Sequence, residues 1–148
     1  MYDNGQGVAK DYAEAVKWYR KAAEAENAFG QTRLGVMYEN GNGVTKDYAE
    51  ALKWFRQAAE AGHARGQANL GVMYENGNGV AKDYAEAVKW YRKAAEQEES
   101  VAQSYVGLCY EDGRGVRRDV AEAIRWYRKA AANGSTEATL DLLRLSQK

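Results

Sequence analysis

Between Ala64 and Glu99 the chain carries two different apolar stripes in succession. Over Ala64–Asn76 (ARGQANLGVMYEN), Gly66, Leu70, Met73 and Tyr74 recur at the three-and-four spacing that places side chains on one helix face. Over Asp83–Glu96 a second stripe, Ala87, Val88, Tyr91, Ala94 and Ala95 with Trp90 at its edge, opposes a solvated side of Lys89, Arg92, Lys93 and Glu96. Between them Gly77-Asn78-Gly79-Val80 is a turn signal. Asp83 then supplies an N-cap, and Glu86 three residues on gives the Asp form of a capping box. The pattern predicts helix A, a glycine turn and helix B.

This unit recurs without insertion or deletion. Val8–Glu24 reappears letter for letter at Val80–Glu96, and Tyr2, Tyr38, Tyr74 and Tyr110 stand thirty-six apart, as do Trp18, Trp54, Trp90 and Trp126. A strict period of this length means stacked small units sharing one continuous core. The helices read B1, A2, B2, A3, B3, A4, B4, A5, with B helices starting near Asp11, Asp47, Asp83 and Asp119 and A helices near Ala28, Ala64, Ser100 and Thr136. The division is a partial unit over 1–27 lacking most of helix A, units over 28–63, 64–99 and 100–135, and a terminal helix A over 136–148. Short connections imply antiparallel neighbours. Gly35, Gly71 and Gly107 fall inside A helices, where glycine costs about 1 kcal/mol against alanine. Their recurrence marks a contact where a side chain would not fit. At the B-to-A junctions Gly62 and Gly134 can close a helix in the left-handed conformation, but Glu26 and Glu98 stand at the other two. Those two junctions are expected to lose the glycine cap and to be locally weaker.

The second unit carries Leu34-Gly35, Tyr38, Gly41, Gly43-Val44, Asp47, Ala51, Trp54-Phe55, Ala58-Ala59 and Gly62. This resembles the Sel1-like repeat, a relative of the tetratricopeptide repeat with a longer A–B turn, and the resemblance covers essentially the whole chain. It implies an all-α, right-handed α/α superhelix with A helices on the concave side. It also implies an adaptor that binds a protein or peptide. A cysteine-rich branch of the family has a disulfide in each repeat and a link to penicillin binding. This chain lacks those cysteine pairs, so β-lactam chemistry is only a remote alternative.

Composition narrows the function classes. Among 148 residues, 21 Lys and Arg balance 21 Asp and Glu, which leaves no overall footprint for nucleic acid or an anionic membrane. No apolar run is long enough to span a bilayer. A single cysteine and a single histidine leave no basis for a multi-cysteine zinc site or a histidine metal site. No cofactor is expected. Gly41-Asn42-Gly43 begins a phosphate-loop pattern, but the third glycine would fall at Lys46 and no strand precedes it. The reading there is a structural turn. Glu39, Asn40 and Asn42 do not match calcium-loop spacing. The recurring pair Asp47 and Glu50 reads as capping rather than acid–base catalysis, and the periodic tryptophans as packing. Cys109 aligns with Met37 and Met73 and reads as a buried, inert thiol; His63 reads as an exposed turn residue. No enzyme activity is expected. Met1-Tyr2 leads straight into repeat material with no visible signal peptide, and the compartment is left open.

Recognition is expected on the A-helix stripe i, i+4, i+7, i+11. It comprises Phe29, Arg33, Val36 and Asn40, then Arg65, Asn69, Val72 and Asn76, then Val101, Tyr105, Leu108 and Asp112. The last helix adds Glu137, Asp141 and Arg144. The first two positions vary most between units, and by resemblance the stripe faces the concave groove. A peptide with an apolar anchor near Tyr105 and polar contacts near Arg33, Arg65 and Asn69 is the expected ligand. A basic run in the fourth unit (Arg114, Arg117, Arg118, Arg125, Arg128, Lys129) reads as a solvated face. The alternative to a dedicated ligand is self-association through uncapped ends, with the last helix (Leu140, Leu142, Leu143, Leu145) docking on the first B helix of another copy. Burying such an end is worth on the order of 5–10 kcal/mol gross.

Overall fold

The computed structural model describes residues 5–147, with side-chain surroundings for residues 11–147. Eight helices follow one another among the described residues: α1 (Gly5–Glu24), α2 (Ala28–Asn40), α3 (Tyr48–Glu60), α4 (Ala64–Asn76), α5 (Tyr84–Ala95), α6 (Ser100–Asp112), α7 (Val120–Ala132) and α8 (Thr136–Ser146). No strand occurs among those residues. The even-numbered helices are the A helices. Each helix packs on its chain neighbours, and α2 also touches α4 directly. The architecture is an all-α solenoid whose apolar clusters bridge units: Ala68 of α4, Tyr91 of α5 and Val106 of α6 share one.

Local chemistry places the helix ends. Asp47, Asp83 and Asp119 accept a hydrogen bond from the backbone N–H of Glu50, Glu86 and Glu122 at 3.0–3.1 Å. The reciprocal half of the capping box does not form. The N–H of each Asp donates instead to the carbonyl of Tyr38, Tyr74 or Tyr110 at 2.9 Å, which ties the start of helix B to the end of helix A. The first unit departs from the expectation that B1 begins near Asp11. There α1 is already helical at Gly5, and Asp11 lies inside it. The tyrosine equivalent to Tyr38 is Tyr2, which lies outside the described residues.

The recurring A-helix glycines are seats for aromatic rings. A Cβ on Gly35 would lie 2.5 Å from the ring of Phe55, one on Gly71 2.5 Å from Tyr91, and one on Gly107 2.6 Å from Tyr127. All three rings are fully buried. The contact outweighs the helix-propensity cost of about 1 kcal/mol, because burying such a ring gives about 1.5–3 kcal/mol. Tryptophans pack across unit boundaries. Trp54 is buried against Val16, Ala23 and Leu34, and Trp90 packs on the cluster around Phe55. Trp18, in the first described helix, is 66% exposed.

The junctions correct one expectation. Glu26 and Glu98 keep the glycine-type closure by adopting φ of 63° and 65°. The cap hydrogen bonds survive: Glu26 N–H reaches Ala23 O at 3.0 Å and Asn27 N–H reaches Ala22 O at 2.9 Å, matching Gly62 to Ala59 and His63 to Ala58. What is lost is backbone ease, on the order of 1 kcal/mol for a side chain in the left-handed region. Nothing lies within 4 Å of a Cβ built on Gly62, so conformation alone decides there. Glu26→Gly is expected to stabilise the chain, and Gly62→Ala to destabilise it, each by about 1 kcal/mol. Urea unfolding with hydrogen exchange at the two junctions checks this; shifts of the same sign would overturn it.

A buried amide ladder joins the units. Gln31, Gln67 and Gln103 donate from Nε2 to the carbonyls of Ala23, Ala59 and Ala95 at 3.1–3.3 Å. The Oε1 of Gln67 accepts from Gln97 at 2.9 Å, and that of Gln103 accepts from Asn133 at 3.0 Å. The corresponding residue for Gln31 is Ala61, which has no donor, and Gln31 Oε1 is buried without a partner. An unsatisfied buried acceptor costs about 1–3 kcal/mol. Ala61→Gln is therefore expected to raise the urea midpoint, by about 1 kcal/mol in stability. An unchanged or lower midpoint would show that the new amide does not reach Gln31.

Candidate functional site

The A-helix stripe divides into residues held by packing and residues left open. Val36, Val72 and Leu108 are half-buried and pack on the core clusters. Tyr105 is also half-buried, with its ring 4.9 Å from that of Tyr91. Burial first, then the carboxylates of Glu137, Glu75 and Glu99, raise its pKa. Tyr105 is thus a wall of the array more than an exposed anchor. Asn40, Asn76 and Asp112 lie exposed at the C-terminal ends of their helices, Val101 is half-buried, and Glu137 is exposed. Arg144 is engaged: it grips Glu111 with two hydrogen bonds at 2.7 and 2.8 Å and holds Asp141 at 3.2 Å.

The open part of the stripe converges at one place. Phe29, Arg33 and Val36 of α2 and Arg65 and Asn69 of α4 line a groove of about 530 Å³, completed by Thr32 and His63. Phe29 is 59% exposed and meets Tyr19 edge-on at 6.4 Å between ring centres. The Arg33 guanidinium lies 5.6 Å from the Tyr19 ring centre and has no carboxylate partner among the described residues. Arg65 pairs with Glu99 at 3.0 Å across the unit boundary. The groove therefore offers one apolar ring, one uncompensated cation and one exchangeable ion pair.

His63 is not the exposed turn residue expected from the sequence. It caps α4: its Nδ1 accepts from Gly66 N–H at 3.2 Å and lies 3.0 Å from Thr32 Oγ1. Asn27, Glu99 and Ser135 cap their helices at the same position. Four different side chains serve one role, and all four carry an acceptor. That shared acceptor is the signal that could have revealed the caps. Burial, and then the nearby Arg65 charge, lower the His63 pKa below its usual 6.5. The folded state thus binds fewer protons than the unfolded chain. Its contribution is complete above about pH 6.5, falls as pH drops through the lowered folded value, and then levels off. His63→Asn keeps an acceptor and removes the titration. Urea midpoints at pH 7.5 and 5 are expected to show a smaller acid loss in the variant; an equal loss would refute the assignment.

Two other candidates resolve into structure. Cys109 is buried and its pKa is pushed up to about 12, chiefly by burial, which keeps the thiol protonated and unreactive. In the basic run, Arg114 pairs with Glu75 and Asp112, Arg125 pairs with Glu122, and Lys129 covers the Trp126 ring. No helix among the described residues is long and apolar enough to cross a membrane.

The Sel1 repeat family profile matches residues 1–27, 28–63, 64–99 and 100–135. The chain belongs to the Sel1 repeat family. Among solved structures it is similar to a Sel1 repeat protein from Oxalobacter formigenes, at 46% identity and a TM-score of 0.84, over 96% of this chain and 58% of that one. It is also similar to c5321, a protective antigen of uropathogenic Escherichia coli strains with a Sel1-like repeat fold. That match has 47% identity and a TM-score of 0.84, over 88% of this chain and 28% of that one. Cysteine-rich protein B of Helicobacter pylori aligns at 28% identity with a TM-score of 0.70, over 92% of this chain and 98% of that one. This Sel1 repeat chain therefore spans just over half of the first relative and about a quarter of the second. No curated protein sequence gives a significant match. Sel1 repeats generally mediate protein–protein interaction and are typically non-enzymatic scaffolds.

Proposed function

We propose that this Sel1 repeat array is an adaptor that binds a peptide segment of a partner protein in the groove between α2 and α4. The observation that supports the reading most is the groove's lining. Phe29 stays 59% exposed beside an arginine without a counter-ion among the described residues, on the face formed by neighbouring A helices. Aromatic and arginine side chains dominate the energetics of protein interfaces. The groove volume of about 530 Å³ suits a few side chains of an extended peptide rather than a globular surface.

Self-association through the ends is the second reading. It is supported by an apolar recess of about 500 Å³ bordered by Ile124, Ala131, Leu142, Leu143 and Leu145. Leu143, however, occupies the position of Gly35, Gly71 and Gly107 and is 54% exposed. A B helix from another copy cannot seat its aromatic ring there as α3, α5 and α7 do. End contacts would need a different packing.

The test uses a phage-displayed pool of random peptides selected on the whole chain. Selected peptides are expected to bind Phe29→Ala/Arg33→Ala at least tenfold more weakly, and to be indifferent to Lys53→Ala on helix B. Failure to select any peptide, or binding untouched by the double variant, would refute the groove. Tyr105 is a poor probe because its loss also damages packing on Tyr91.

A further inference from the structure

The ends of α2, α4 and α6 carry a glutamate in the same place, Glu39, Glu75 and Glu111, and the array treats the three differently. Glu75 accepts from the Tyr91 hydroxyl at 3.3 Å and pairs with Arg114, which reaches it from the next unit's turn at 3.6 Å. Glu111 accepts from the Tyr127 hydroxyl at 2.7 Å and receives the Arg144 guanidinium through both nitrogens. Glu39 receives neither. Phe55 replaces the tyrosine, so the hydroxyl is missing, and Asn78 stands where Arg114 would be. Val72 stands where Arg144 would be. Glu39 has no hydrogen bond or ion pair among the described residues, although it is half-buried. Lys46 is the nearby cation, and its ammonium sits over the Tyr48 ring at 4.8 Å. Burial accordingly raises the Glu39 pKa, with Lys46 opposing.

We propose that Glu39 is the receptor for an arginine side chain of the bound peptide, which supplies the guanidinium that Arg114 and Arg144 supply to Glu75 and Glu111. The inference rests on the groove reading and names the partner's chemistry. Arginine is favoured over lysine because one of the internal precedents is a two-pronged guanidinium–carboxylate contact, which an ammonium cannot make. Continuity with the groove comes from Val72. It is a stripe residue of α4 at the position from which Arg144 reaches Glu111, and the stripe residue before it, Asn69, lines the groove. A peptide lying along α4 past Asn69 and Val72 brings its next side chain to Glu39.

Two substitutions separate this from general groove binding. Glu39→Gln removes the half-buried charge and, having no bond to break, is expected not to lower thermal stability. Asn78→Arg supplies the internal arginine that the second unit lacks and fills the place. The probes are peptides selected from the random pool, each remade with citrulline, the neutral isostere, at every arginine. At least one citrulline exchange is expected to weaken binding to the unaltered chain tenfold or more. The same exchange should have less than twofold effect on Glu39→Gln and Asn78→Arg. Peptides that bind the groove with no arginine dependence, or with a dependence that survives both substitutions, would overturn the inference and leave the groove reading intact. A pool that yields no binder would remove both.

Discussion

The array depends on one contact, the aromatic ring of a B helix laid against the bare backbone of a glycine in the preceding A helix. The three rings are fully buried, and the space at each glycine is too small for a single added carbon. Replacing such a glycine with alanine would gain about 1 kcal/mol of helix propensity and meet an overpacking cost of about 1–3 kcal/mol. Steric exclusion therefore wins. The seat fixes both the separation and the register of the two helices, and register decides what the far end of the ring can reach. In α5 and α7 the phenol oxygen arrives at a glutamate near the end of the A helix. In α3 the ring is seated equally well but ends in carbon. The same packing thus yields a satisfied carboxylate twice and an unsatisfied one once.

Between units the apolar seats are joined by polar relays. Each buried glutamine reads the last turn of the preceding B helix through its amide, and Gln67 and Gln103 also turn the oxygen to a donor at the following junction. The N-cap side chains of α4, α6 and α8 reach the preceding A helix: His63 to Thr32, Glu99 to Arg65 and Ser135 to Ser104. Arginines of B helices reach tyrosine hydroxyls of the A helix that follows directly in the chain: Arg20 to Tyr38, Arg56 to Tyr74 and Arg92 to Tyr110. Buried polar groups are costly when unpaired, so these relays penalise any slip of one unit against its neighbour. They constrain alignment, whereas the aromatic seats supply most of the cohesion.

The period exposed the helix order, the turn positions, the buried faces and the glycine contacts in the sequence, because each follows from residues that recur identically. What stayed hidden depends on residues that do not recur. The A-helix N-caps are Asn27, His63, Glu99 and Ser135, four residue types whose common role appears only when their acceptors meet an amide. The left-handed glutamates Glu26 and Glu98 looked like lost caps because propensity disfavours them, yet the surrounding hydrogen bonds hold them there. The binding stripe was readable as a set of positions but not as a surface. Helical spacing could not distinguish Phe29, which stands in solvent, from Tyr105, which leans on Tyr91.

This division of labour also says where recognition can occur without endangering the fold. Exposed ion pairs contribute roughly 0–1 kcal/mol each, far less than the summed burial of the seated rings. Arg65 is over half exposed and shared with Glu99, so a ligand that draws it away takes little from stability. Arg33 and Glu39 have no ion-pair partner to lose among the described residues. The scaffold can vary such groups freely, because none of them sets the helix register. A mutation at Gly71 acts on the whole stack; a mutation at Arg33 acts only on what the groove can hold.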